Sequence, residues 1–217
     1  MLTLVEEFLL LTLKDTGGEF ITFPKQISDP CFVGAALMDL ALKDRIDTDL
    51  HTLKIVDQTP VGEKCVDLVL ERITDPDFDP HMEKLIGQLT VVSDRIHDLA
   101  LKRLIKRGIL TQTDGKVYWF FKTRRYPVVD GKEMLEAKLR LVEILLKNGI
   151  PDGHDACLLS LISISGILSH LVPPSEYHRA HDRMHDLGKL DLIGRSVRDY
   201  INAVQTNINL ALLQPIT

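Results

Sequence analysis

Tyr118-Trp119-Phe120-Phe121 sets aromatic rings side by side, the only tryptophan of the chain among them, and Lys116, Lys122, Arg124 and Arg125 surround the run. Rings flanked by cations suit a membrane interface. The rings enter the headgroup layer while lysine and arginine ammonium and guanidinium groups stay with phosphates. Each well-placed basic residue contributes about 1 kcal/mol near an anionic leaflet. The same rings can instead fill the protein's own core or a contact with a second subunit, leaving the charges solvated. The two uses are compatible, and residue types alone leave both open.

A second set is His178, His181 and His185, which share one helix face with Asp182 beside them. His181 and His185, four apart, have the spacing that chelates a divalent metal. The residue after His181 is Asp182 rather than the glutamate of a His-Glu-x-x-His protease, so a solvated polar face is expected and no metal. No serine sits in a Gly-x-Ser-x-Gly elbow and no glycine-rich phosphate loop occurs. Ser165-Gly166 reads as packing, and His170 as a satisfied, semi-buried histidine. The chain is therefore expected to be a non-enzyme without a cofactor. Cys31, Cys65 and Cys157 are widely separated in apolar contexts, which predicts reduced core thiols in a cytosolic protein.

The elements that position these groups follow from periodicity. Residues 2–14 predict a mostly buried helix, with Thr3 and Glu6 forming a capping box. Residues 19–23 read as a short strand or extended turn. Residues 28–45 predict a helix capped by Ser28 or Asp29 with Pro30 in its first turn, and Gly34, Ala35 and Ala36 give it a thin face. Residues 46–57 alternate as a pair of short strands. Helices are predicted over 63–74, 81–89 and 92–107; the last carries Ile96, Leu99, Ala100 and Leu104 inward and Arg95, Lys102, Arg103, Lys106 and Arg107 outward. Asp114-Gly115 between two β-prone runs predicts a hairpin over about 109–121.

Helices follow over 132–147, 175–187 and 195–213. Between them lies ACLLSLISISGILSHLV (residues 156–172), apolar on every side of a helical wheel. A helix of that kind is buried in a core or placed in a membrane. This run falls short of the roughly 20 apolar residues that a span needs, so it is expected to be the central helix around which the rest packs, its serines bonding back to their own carbonyls. The expected fold is mainly α: one domain over 1–217, a central helical bundle ringed by amphipathic helices, with one protruding β-hairpin. No signal peptide is expected, because the chain enters a helical pattern at once.

The chain has 217 residues, 45% of them hydrophobic and 26% charged, with a formal net charge of −5. That balance disfavours nucleic acid and bulk attraction to anionic lipid, though not a local basic patch. One rival survives: a basic helix, Gly-Ile-Leu and a hairpin is how a winged helix-turn-helix ends. The sequence pI near 5.9 argues against it.

LTLVEEFLLLTLKD (residues 2–15), CFVGAALMDLALKDRI (31–46) and RLIKRGILT (103–111) with its hairpin, in that order and with the central and terminal helices in place, resemble the Golgi phosphoprotein 3 family over nearly the whole chain. The resemblance implies a largely α-helical fold with an exposed hairpin. It also implies a peripheral Golgi membrane protein that binds phosphatidylinositol 4-phosphate in a shallow basic pocket beside the hairpin and retains glycosyltransferases by their cytosolic tails. In the family the hairpin serves membrane insertion and, in some members, self-association. The family's headgroup residues, a tryptophan and three arginines, fall here on Pro24, Val33, Asp94 and His97. An alternative anion cluster of Lys25, Arg95 and His97 is expected to stand in their place. These departures, with the missing N-terminal extension, suggest a divergent member from an organism without a Golgi. The expected protein is cytoplasmic and peripheral on a membrane, at the cytosolic Golgi face in a eukaryote. Its expected partners are an anionic phospholipid surface and a second copy through the hairpin. The alternative is an oligomerising module with no lipid role.

Overall fold

The Thr3 hydroxyl accepts the Glu6 N–H at 3.1 Å and the Glu6 carboxylate accepts the Thr3 N–H at 2.9 Å, the reciprocal box that starts the first helix. The computed structural model describes residues 1–14, 18–49, 51–115, 123–187 and 191–212. In it this helix is α1 (Leu4–Leu11), and all of its residues are buried. α2 (Lys25–Leu42) packs against α1. α3 (Lys64–Ile73), α4 (Met82–Leu89), α5 (Ser93–Lys106), α7 (Gly153–Ser165) and α9 (Leu192–Leu212) all touch α2. α6 (Lys132–Leu146) lies outside α1 and α8 (Tyr177–Leu187) outside α7, and these two outer helices meet each other. One hydrophobic cluster draws residues from each of these helices.

The centre of the bundle is α2, not the apolar run at 156–172. Every residue from Pro30 to Leu40 is buried. The expected central helix stops at Ser165, because Gly166 takes a left-handed conformation (φ +74°) and a 3₁₀ turn over Ile167–His170 follows. Ser165 does bond back to its own helix, at 2.7 Å to the Leu161 carbonyl. His170 is exposed rather than semi-buried. The thin face of α2 works as expected: a Cβ on Gly34 would lie 2.7 Å from Val197 Cγ2 of α9.

α2 begins one turn earlier than Ser28. The Pro24 carbonyl accepts the N–H groups of Ile27 (2.8 Å) and Ser28 (3.0 Å), which leaves Pro30 inside the helix. The acceptor Pro30 deprives is the carbonyl of Gln26, an exposed residue that water can reach, so the cost of an internal proline is blunted. α9 likewise starts early, at Leu192, because the Asp191 carboxylate accepts the N–H groups of Ile193 and Gly194, both at 3.1 Å.

β1 (Ile46–Thr48) and β2 (Leu53–Ile55) form the expected antiparallel pair. The second pair, β3 (Thr113–Gly115) and β4 (Thr123–Arg125), corrects the hairpin. Asp114 pairs with Arg124 and Gly115 with Thr123, so Asp-Gly lies within the ladder and is not its turn. The Leu110–Val128 bridge continues the same register inward. Burial of Leu110 and Tyr126 fixes that register, and a one-residue slip would turn them out of the core. Residues 116–122, with Tyr118, Trp119, Phe120, Phe121 and Lys122, lie outside the described residues, as does the Arg124 side chain.

Candidate functional site

The base of the hairpin is clamped to the segment after α1. Gly18 has φ +65°, and its carbonyl accepts the Tyr126 N–H at 2.7 Å. Glu19 holds Arg125 in an ion pair at 3.2 Å, and the Phe20 ring lies 5.4 Å from that of Tyr126. Phe20 also meets His97 edge-on at 5.7 Å, His97 meets Phe32 at 5.3 Å, and Phe32 meets Phe8 in the core at 5.3 Å. A continuous file of rings thus runs from the core through α5 to the foot of β4. Such edge-to-face pairs add about 1 kcal/mol each beyond area burial.

Beside this file opens a cleft of about 260 Å³, walled by Phe20, Phe23 and Phe32 and edged by Lys25, Asp29, Asp94 and His97. The Lys25 ammonium donates to both Asp94 oxygens (2.9 and 2.8 Å), and Asp94 with Asp29 raises the Lys25 pKa. Burial lowers the His97 pKa against the pull of Asp98 and Asp94, so its ring is neutral at pH 7. The cleft therefore holds one cation and two carboxylates. Arg95 is not with them. It projects from another side of α5 and lines a separate 550 Å³ depression with Lys64 and Glu71 of α3. Of the positions that the family resemblance singles out, Asp94 and His97 edge the cleft, Pro24 is exposed at the start of α2, and Val33 is fully buried.

Along α5, Lys102, Lys106 and Arg107 are exposed, and Arg107 lies 3.4 Å from Glu133. Arg103 does not join them. Its guanidinium turns inward to Glu6, which is wholly buried, and reaches Glu63 at 2.6 Å. The helix face that a winged helix-turn-helix would turn to DNA thus lacks Arg103. His178, His181 and His185 are all exposed on α8, and His181 stacks on Tyr177 at 5.9 Å.

The buried charges were the functional-looking groups that periodicity missed. Glu7 accepts from Arg140 at 2.9 Å and lies 3.3 Å from His154, and Arg140 also bonds Asp155. Burial pushes the Glu7 carboxyl up, but His154 and Arg140 outweigh it and hold it below the ordinary carboxylate value. Burial would lower the His154 pKa, yet its bond to Glu7 raises it. Asp39 accepts the N–H groups of Leu4 (3.1 Å) and Val5 (3.3 Å), capping α1 from α2. Burial lifts its pKa to about 6 despite those bonds. The signal was available: Glu6-Glu7 inside a helix with no solvent face demands internal cations.

A pH dependence follows. Asp39 titrates higher folded than its ordinary 3.8, so its ionised form weakens the fold and stability rises as pH falls from about 6 toward 3.8. His154, raised above 6.5, contributes stability that is complete below 6.5 and lost as pH rises through its folded value. Glu7, lowered below 4.5, acts oppositely, but only as pH falls below 4.5. His97, lowered below 6.5, works against this as pH falls, while Asp191, raised above 3.8, works with Asp39. The Asp39 contribution is therefore read by difference: the change in urea midpoint from pH 8 to pH 5 is expected to be less favourable in Asp39→Asn than in wild type.

The described fold defines a mainly α-helical protein with a small antiparallel hairpin, the buried carboxylates of its first helix paired with Arg103 and Arg140. The chain belongs to the Golgi phosphoprotein 3 (GPP34) family, which it matches over residues 4–204. It is 26% identical over 169 residues to the vacuolar protein sorting-associated protein 74 of Eremothecium gossypii, a match covering 69% of this chain and 50% of that protein. The chain thus spans about half the length of this curated relative.

Proposed function

We propose that this protein is a non-catalytic peripheral membrane protein of adaptor type, which meets an anionic lipid surface through its hairpin face. The observation that carries the reading is the clamp at the hairpin base. Gly18, Glu19 and Phe20 grip Tyr126 and Arg125, so the strands leading to Tyr118–Phe121 are anchored to the bundle through a file of rings. A fixed base is what a wedge of aromatic side chains needs to transmit binding to the rest of the molecule. Lys102 and Lys106 of α5 add positive charge nearby in sequence, and no helix among the described residues is long and apolar enough to cross a membrane.

The headgroup role of the cleft rests on Lys25, with neutral His97 as a second donor. Lys25 must leave Asp94 to bind a phosphate, and Asp29 opposes the exchange. Arg95 contributes at most to the general field. Hydrophobic insertion and diffuse attraction therefore dominate over recognition of one headgroup. The family resemblance favours phosphatidylinositol 4-phosphate and a client held by its cytosolic tail. A second reading, self-association through the hairpin without lipid, rests on the same rings.

Co-sedimentation with liposomes, with and without phosphatidylinositol 4-phosphate, tests this. Binding to anionic vesicles is expected to fall at least tenfold in the Trp119→Ser, Phe120→Ser double variant, and Lys25→Ala is expected to change it less than threefold. Unchanged sedimentation of the double variant, with a loss of its dimer in solution, would favour the second reading.

A further inference from the structure

Helix α6 carries two apolar faces. Ala137, Leu141, Ile144 and Leu145 are buried against the bundle. On the far side Leu135 and Leu139 stand 55% and 58% exposed, and half-buried Val142 and Leu146 continue their row. Val129 and Ile150, in the segments before and after the helix, are exposed as well (63% and 93%). Among the described residues, half of the large apolar side chains most exposed to water (Val129, Leu135, Leu139 and Ile150) fall in the stretch 129–150.

The spacing identifies the shape of what covers it. Residues 135, 139, 142 and 146 step by four, three and four, the narrow seam by which one helix packs on another. The charges beside the seam do not select an anionic bilayer as its occupant. Glu136 and Glu143 sit on the same edge as Lys132 and Lys147, so that edge is mixed in sign.

We infer that this row is a self-association surface, on which a second copy of the chain lays its own α6 antiparallel, with the two-fold axis at Val142. In that register Leu139 meets the partner's Leu146. In an antiparallel pair the same edge of each helix faces its twin, so Glu136 meets the partner's Lys147, and this happens twice by symmetry. Sliding the pair by one turn toward residue 139 sets Glu136 against the partner's Glu143 and loses the match. The chosen register leaves one fault, a Glu143 from each copy beside the axis. The interface is small, at the low end of specific contacts, so the dimer is weak and concentration-dependent. This surface is separate from the hairpin and independent of the lipid reading.

Sedimentation velocity of the full chain over a wide concentration range tests the inference. Wild type is expected to pass from monomer to dimer. Leu139→Glu is expected to raise the dissociation constant at least tenfold, while its circular dichroism and thermal midpoint stay those of wild type. Glu136→Lys and Lys147→Glu are each expected to weaken the dimer about tenfold, and the two together to restore it to within about threefold. Glu143→Gln is expected to tighten it. A monomer up to the solubility limit overturns the inference. So does a dimer indifferent to Leu139→Glu but abolished by Trp119→Ser, which would place self-association on the hairpin. A failed charge swap with a dimer sensitive to Leu139→Glu overturns the antiparallel register.

Discussion

Arg103→Met is expected to lower the stability of this protein at pH 7 by about 3–5 kcal/mol, the usual cost of stripping the partner from a buried charge. Glu6 has no exposed surface, and its carboxylate lies between the Thr3 N–H and the Arg103 guanidinium. Glu63, the other partner of Arg103, is partly exposed and recovers water when the arginine is gone. Glu6 cannot. Methionine keeps the volume, so the loss reports charge and not a cavity. In thermal unfolding the change corresponds to about 10 °C for a chain of this size.

A companion measurement separates this from a packing defect. With its cation removed, Glu6 is left as an unpaired charge with no exposed surface. Adding Glu6→Gln to Arg103→Met should recover more than half of the loss, since a neutral amide still accepts from Thr3. A deficit untouched by Glu6→Gln would mean that the guanidinium acts through packing alone. Arg140→Met is expected to cost less per carboxylate, because Arg140 is itself more than a third exposed and Glu7 retains His154.

These pairs show where reading the residues in order stops. Thr3 and Glu6 are three apart, and the box they form could be named from the sequence. Glu7 and Arg140 are 133 residues apart, and nothing local says which of the chain's arginines turns inward. Periodicity sorted Arg103 with the outward cations because arginine is rarely inside; the carboxylates of α1 overrode that preference. The same limit moved the hairpin turn. Asp-Gly is a strong local turn signal, but the register is set by Leu110 and Tyr126 reaching the core, and the tertiary term won. The misplaced centre of the bundle has a different cause. Hydropathy ranks the 156–172 run above α2, whereas Gly34 lets α9 approach α2 closely and α2 touches more of the other helices than that run does. The separation of Arg95 from His97 was legible after all, since two residues apart on a helix lie about 200° around its axis.

Gly18→Ala is the substitution expected to uncouple the hairpin from the bundle. A Cβ there would lie 2.5 Å from the Pro127 nitrogen and 2.6 Å from the Tyr126 carbonyl carbon, both backbone atoms that no rotamer change can move. The backbone at φ +65° adds roughly 1–2 kcal/mol for any L side chain. The clash and the strain act on one apposition, the bond from the Tyr126 N–H to the Gly18 carbonyl. The chain can therefore relieve both by letting residues 18–21 and the foot of β4 separate. The global loss is capped at the free energy of that local opening, about 2–3 kcal/mol, since α1 and α2 pack independently of it. Hydrogen exchange is the discriminating measurement. Protection of the Tyr126 and Ile21 amides should fall by ten- to a hundredfold, with the Met38 and Leu40 amides of α2 changed only through the small global loss. On the proposed function the variant should also bind anionic vesicles more weakly, although Trp119 and Phe120 are untouched, because a wedge without a fixed base holds only itself in the lipid. Unchanged exchange at Tyr126 would show that the hairpin is held by Leu110 and Val128 alone, and the file of rings from Phe8 to Tyr126 would then carry no mechanical load.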